Sequence, residues 1–260
     1  MSAEPVERQA GGHMTIWEHI AELRSRLIKV AAAVAVGALV GWFLFPYLLD
    51  FLLRPYHEIQ PNSSLIATEP LQAFALRLQM SAYIGIAIAM PVILWQLWRF
   101  ITPALYPHEK KYAIPFVVSA LLLFVLGASL AYLILNPTLQ FLVNIGGSNI
   151  QPYYTASSYI TLIVWMMLAF GVGFEFPVII VALQLIGVIT PRQLIRWWRI
   201  SLVLIAVVAA VITPSGDPIS MIALAVPMVV LYVMSIGVGA GVLRLRSRKE
   251  HKADRTESDA

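Results

Sequence analysis

Tyr112-Ala-Ile-Pro-Phe-Val-Val-Ser-Ala-Leu-Leu-Leu-Phe-Val-Leu-Gly-Ala-Ser-Leu-Ala-Tyr-Leu-Ile-Leu135 runs for 24 residues without a charged side chain. About 20 apolar residues are enough for a helix to cross the hydrocarbon core of a bilayer, so this stretch reads as a membrane span. The rest of the chain is built the same way. Only 12% of its 260 residues are charged and 59% are hydrophobic, whereas a soluble domain carries about 25% charged residues. Runs at Val30–Tyr47, Leu76–Trp98, Tyr159–Ile186, Trp198–Ile212 and Ile219–Leu243 give five further spans. The expected fold is therefore all-α: a polytopic membrane protein of six helices, with helices five and six short. Residues 15–243 form the membrane domain, preceded by a disordered tail (1–14) and followed by a basic, disordered one (244–260). Prolines inside the spans (Pro91, Pro115, Pro177, Pro227) read as kinks, tolerated when neighbours satisfy the freed carbonyls.

The cations set the orientation. Of the 18 Lys and Arg, 16 fall in the segments before span one, between spans two and three, between four and five, and after span six. Only Arg54 and Arg77 fall on the other side. The positive-inside rule then places both termini in the cytoplasm. Cations beside apolar runs are topology signals and lipid-headgroup partners, so nucleic acid is not an expected partner. The absence of cysteine excludes disulfides and thiolate chemistry. Residues 1–29 lack a secretory layout, so the first apolar run reads as a retained helix. The outer segments 48–75 and 136–158 are rich in turn formers.

Arg99-Phe-Ile-Thr-Pro-Ala-Leu-Tyr-Pro-His-Glu-Lys-Lys111 is a short polar loop between two spans, with the lone carboxylate Glu109 among cations. Pro103 and Pro107 fix φ and remove donors, which makes the loop shaped. Upstream, Thr15 and Glu18 match a capping box, and Ile16, Ile20, Leu23 and Leu27 form one apolar stripe. Glu22 and Arg26 on the polar side read most simply as an i,i+4 salt bridge. Glu175 lies deep in span four, where an unpaired carboxylate is costly and function is the default reading. Arg54-Pro55 and Thr213-Pro-Ser-Gly-Asp217 lie on the outer side. No catalytic constellation appears: His108-Glu109 begins like a zinc-protease motif, but position 112 is Tyr. No metal or cofactor is expected.

His19-Ile-Ala-Glu-Leu-Arg24, Phe100-Ile-Thr-Pro-Ala-Leu-Tyr-Pro-His-Glu109, Phe170-Gly-Val-Gly-Phe-Glu-Phe-Pro177 and Thr213-Pro214 occur in order on the six spans. In this the chain resembles the TatC family, the receptor core of the twin-arginine protein translocase in prokaryotic cytoplasmic membranes. The resemblance implies a receptor for Arg-Arg signal peptides of folded cargo. It also implies assembly, as a homo-oligomer, with single-span TatA and TatB for protonmotive-force-driven export. Carried over by motif, Glu22 and Glu109 are the acidic groups of the peptide site, with His19, Leu23, Arg24, Phe100, Pro103, Leu105 and Tyr106 around them. Glu175 and Thr213 match positions of the membrane interior and partner contacts; Pro55 and Asp217 match outer-side positions. Met221 departs from the family pattern near the expected partner contact in span six. From the residues alone, a proton-coupled secondary transporter using Glu175 remains the alternative.

Overall fold

The computed structural model describes residues 16–59, 65–101, 113–145 and 155–258. Eight helices account for these segments: α1 (Ile16–Ile59), α2 (Gln72–Ile101), α3 (Ala113–Ile145), α4 (Ala156–Gly173), α5 (Phe176–Leu185), α6 (Pro191–Arg196), α7 (Trp198–Ile212) and α8 (Pro218–Ser258). No strand is present among the described residues; a single parallel bridge joins Ile66 to Thr155. Five stretches are long and apolar enough to cross a membrane, and α7 is a shorter sixth. The protein is thus a six-span membrane protein, α4 and α5 together making the fourth span.

Several helices run past the ends expected of their apolar runs. The 44 residues of α1 extend about 66 Å at 1.5 Å per residue, against a hydrocarbon core of about 30 Å. The amphipathic segment that holds Glu22, the first span and half of the expected outer segment are one rod. Thr15, the expected cap, lies outside the described residues. Helix α3 similarly continues to Ile145, ten residues into the expected outer segment. The sixth span is not short: α8 spans 41 residues, and the helix carries the basic stretch after Arg244 as far as Ser258, where a disordered tail was expected. Beyond the hydrocarbon, charged side chains are solvated while the backbone keeps its i→i−4 bonds, so polarity alone does not end a helix. Span five, Trp198–Ile212, is short as expected: its 15 residues cover about 22 Å.

Several helices contain prolines, and two of the carbonyls they free are satisfied by side chains. Pro46 cannot donate to Trp42, whose carbonyl instead accepts from Arg77 Nη2 at 3.0 Å. The same guanidinium stacks 4.4 Å from the Trp42 ring centroid. Pro55 cannot donate to Phe51, and the Phe51 carbonyl accepts from Tyr132 Oη at 3.0 Å. Pro177 cannot donate to Gly173, and there the helix breaks outright, α4 ending at Gly173 and α5 starting at Phe176.

Small residues set the closest crossings. A Cβ on Gly37 would stand 2.7 Å from the Gly85 carbonyl oxygen, and one on Gly85 would stand 2.6 Å from the Ala38 nitrogen. One turn on, a Cβ on Gly41 would meet the Ser81 carbonyl oxygen at 2.8 Å. Backbone thus touches backbone between α1 and α2, as in small-xxx-small pairs generally. The core gathers around Tyr159, Phe170, Phe174, Ile205, Leu224 and Met228, each nearly inaccessible, and takes in Leu52 and Tyr56 of α1.

Gly85→Val should push α1 and α2 apart and destabilise the fold by roughly 1–3 kcal/mol. Gly237→Ala, where a Cβ meets nothing within 4 Å, should leave the unfolding midpoint in detergent unchanged or raised. Tyr132→Phe should cost about 1–2 kcal/mol by orphaning the Phe51 carbonyl. In a Pro55→Ala background, where the helix supplies its own donor, that cost should shrink; a double-mutant cycle of thermal unfolding measures the difference.

Candidate functional site

The antiparallel register fixed at Gly37/Gly85 carries along both helices to the end of the bundle where the cations cluster. Eleven residues, close to three turns, separate Gly37 from Arg26 and Gly85 from Gln96. Arg26 accordingly faces Gln96, and its Nη1 donates to the Gln96 carbonyl at 3.1 Å. Its Nη2 donates to Oε1 of Glu22, one turn back on α1. The guanidinium also lies over the Phe100 ring, 5.8 Å from the centroid, within cation–π range. Glu22 is therefore the i,i+4 partner that the spacing indicated, and the pair is anchored to a second helix. Only 12% of the Arg26 side chain and 25% of the Glu22 side chain remain exposed. Oε2 of Glu22 is buried and has no hydrogen-bond partner among the described residues.

Glu22 and Phe100, two of the residues singled out by sequence, are thus brought together, with Arg26 between them. Leu23 and Arg24 are exposed on α1. His19 belongs to α1, but its side chain lies outside the described residues, as do Pro103, Leu105, Tyr106 and Glu109 altogether. Helix α2 ends at Ile101, eight residues before Glu109 in the sequence. Near that end of α2, a cavity of about 330 Å³ opens between α2, α3, α5 and α8, lined by Trp98, Phe116, Val178, Leu231, Ser235 and Val242 among others. Sequence reasoning missed Arg26 and Gln96 as parts of the site. The available signal was that Arg26 sits one turn after Glu22, but its contact with Gln96 is tertiary and leaves no mark on local pattern.

The remaining candidates lie elsewhere. Glu175 occupies the break between α4 and α5; only 7% of it is accessible, and Oε1 has no partner among the described residues. Thr213 and Asp217 shape the turn between α7 and α8. Thr213 Oγ1 donates to the Ala209 carbonyl at 2.8 Å, closing α7. Asp217 caps α8: Oδ1 accepts from the Ser220 amide at 2.7 Å and Oδ2 from the Ser215 hydroxyl, with Pro218 as first helical residue. Gly216 between them has φ +59, the left-handed conformation that glycine adopts at no steric cost. Pro55 is buried at the same end. Thr213 and Asp217 thus each have a structural task in hand. No cluster of three metal-ligating side chains occurs among the described residues.

An all-helical, six-span bundle with a carboxylate–guanidinium cluster at its basic end defines a polytopic membrane protein whose polar chemistry lies at the membrane surface and at one helix break. The profile of the family described as Sec-independent protein translocase protein (TatC) matches residues 18–227. A TatC protein of Aquifex aeolicus is 38% identical over 240 residues, covering 91% of this chain and 98% of its own length. One of Koribacter versatilis is 34% identical, with 94% and 92% covered. Two crystal structures titled as the twin arginine translocase receptor TatC, one of them in DDM, share 37% identity with it. They superpose with TM-scores of 0.72 and 0.74 and cover 86% and 85% of this chain. The chain belongs to the TatC family, whose named members are protein translocase components.

A buried carboxyl oxygen without a donor contributes nothing to the fold. Glu175→Leu should therefore leave the unfolding midpoint unchanged or raise it, while export of a folded reporter in cells falls. A lower midpoint would mark Glu175 as a structural staple instead.

Proposed function

We propose that this protein is the receptor of a twin-arginine translocase, with its basic end and both termini in the cytoplasm. The observation that carries the reading is Glu22: a carboxylate at the membrane surface, pinned beside the end of α2, with one oxygen held and the other unpartnered among the described residues. Glu109, on the segment that leaves α2 after Phe100, supplies the second carboxylate. The peptide's two arginines each take one. Guanidinium is a planar, always-charged fork suited to carboxylates, which an ammonium does not match.

Exposed ion pairs contribute only about 0–1 kcal/mol each, so binding needs more than charge. Partial burial of Glu22 strengthens its pairing, and the apolar cavity beside Trp98 offers a bundle surface for the peptide's hydrophobic stretch. His19, Leu23, Arg24, Pro103, Leu105 and Tyr106 shape the surround. TatA and TatB helices dock against the membrane-facing side, and Glu175, buried at the break between α4 and α5, acts from inside the bundle. Thr213 and Asp217 serve that docking indirectly, by setting the turn that orients α7 and α8. The assembled complex is a homo-oligomer of this chain with those partners, and the protonmotive force drives transport.

The test is direct binding of a labelled Arg-Arg signal peptide to the full-length protein in nanodiscs. Glu22→Ala and Glu109→Ala should each weaken binding by about tenfold or more, the equivalent of a lost charge-assisted hydrogen bond. Undiminished binding by both variants would sink the two-carboxylate site.

A further inference from the structure

Arg26 is held more elaborately than a helix-surface ion pair requires. One edge of its guanidinium donates to Oε1 of Glu22, another to the Gln96 carbonyl at 3.1 Å, and its face lies over Phe100. A lysine offers charge but neither the fork nor the flat face. The partners come from two helices, and the register between those helices is locked by backbone contact at Gly37 and Gly85. Arg26 therefore has one position, and it transmits that position to Glu22.

The consequence for Glu22 is asymmetric. With Oε1 engaged, the carboxylate cannot rotate freely, so Oε2 also has a fixed place. Oε2 is buried, although a quarter of the side chain is exposed, and it has no hydrogen-bond partner among the described residues. A water-excluded carboxylate oxygen without a donor is costly to maintain. It is also a preset acceptor for a cationic donor.

We infer that Arg26 is a positioning residue for the peptide site proposed above: by occupying Oε1 of Glu22 it leaves Oε2 as a single, oriented acceptor for one N–H of an incoming guanidinium. The inference rests on that reading of Glu22 and changes its geometry. Glu22 does not receive the peptide's arginine through both oxygens, because one is already spoken for. Discrimination against lysine then arises in part from desolvation. An ammonium is compact and strongly hydrated, and must shed water to reach a buried oxygen beside a fixed cation. A guanidinium is weakly hydrated and can present a single edge.

Binding of two labelled peptides, one with an Arg-Arg pair and one with Lys-Lys in its place, to the full-length protein in nanodiscs tests this. Arg26→Gln should weaken Arg-Arg binding about tenfold and narrow the ratio between the two peptides. In a Glu22→Gln background, Arg26→Gln should have no further effect, since nothing is left to position. Arg26→Lys, which keeps the charge, should show a smaller loss in the same direction, and it stands in should Arg26→Gln not fold. Unchanged or tighter Arg-Arg binding in the Arg26 variants would overturn the inference, showing a mere placeholder. So would an undiminished Arg26 effect without the Glu22 carboxylate, showing a scaffold role. If Glu22→Gln alone leaves binding intact, the receptor site itself fails; if it abolishes binding while the Arg26 variants do not alter it, only the positioning role fails.

Discussion

Backbone contact between α1 and α2 at Gly37 and Gly85 is the constraint on which the basic end of the molecule depends. In lipid there is no hydrophobic gain in pressing two apolar helices together, so association relies on close packing. Here neither helix has room for a Cβ at the crossing, which fixes both separation and register. Three turns away that register brings a guanidinium to a carbonyl and an aromatic ring. The surface polar cluster is thus set by the smallest residues in the chain.

The same economy governs the polar side chains. In a bilayer each backbone group must find a partner within the protein. Arg77 and Tyr132 serve carbonyls that Pro46 and Pro55 release. Asp217 serves a free amide at the start of α8, and Thr213 adds its hydroxyl to the Ala209 carbonyl that its own amide already bonds. Tyr159 adds a hydroxyl to the Leu52 carbonyl at 3.1 Å, so α1 is held near its outer end by two tyrosines from different helices. Against this background, the buried oxygens of Glu22 and Glu175, like those of Asn136 and Gln184, have no hydrogen-bond partner among the described residues; the two glutamates alone of the four are carboxylates.

Much of this was legible in the sequence, because membrane spans announce themselves by uninterrupted apolar length. The number of spans, the shortness of Trp198–Ile212 and the Glu22–Arg26 pair follow from pattern and spacing. Helix ends did not follow. Asp50, Arg54 and Pro55 read as a loop, yet α1 continues through them because Tyr132 supplies the bond that Pro55 forgoes. Pro177 is visible as a kink, and Gly171 and Gly173 just before it mark it off from Pro91, which follows Ala87-Ile-Ala-Met90 and leaves α2 unbroken. The roles of Gly37 and Gly85 depend on which residues face each other across a crossing. That is a property of the assembled pair, and so is the partnership of Arg26 with Gln96.

The helices that fix the Glu22–Arg26 cluster are the first two in the chain, and they are neighbours in sequence. Their contact needs no later helix. During membrane insertion the α1–α2 hairpin can close as soon as α2 has entered the bilayer, with its final register set by glycine. Helix α8, synthesised last, covers α5 with a fit as tight, a Cβ on Gly239 standing 2.2 Å from Gln184 Oε1. Biogenesis therefore has a direction: the polar cluster at the basic end is set first, and the part that seals the bundle is finished last. An error in late insertion would leave a nascent protein whose first hairpin is already formed, a reason for the cell to couple quality control to the final helix.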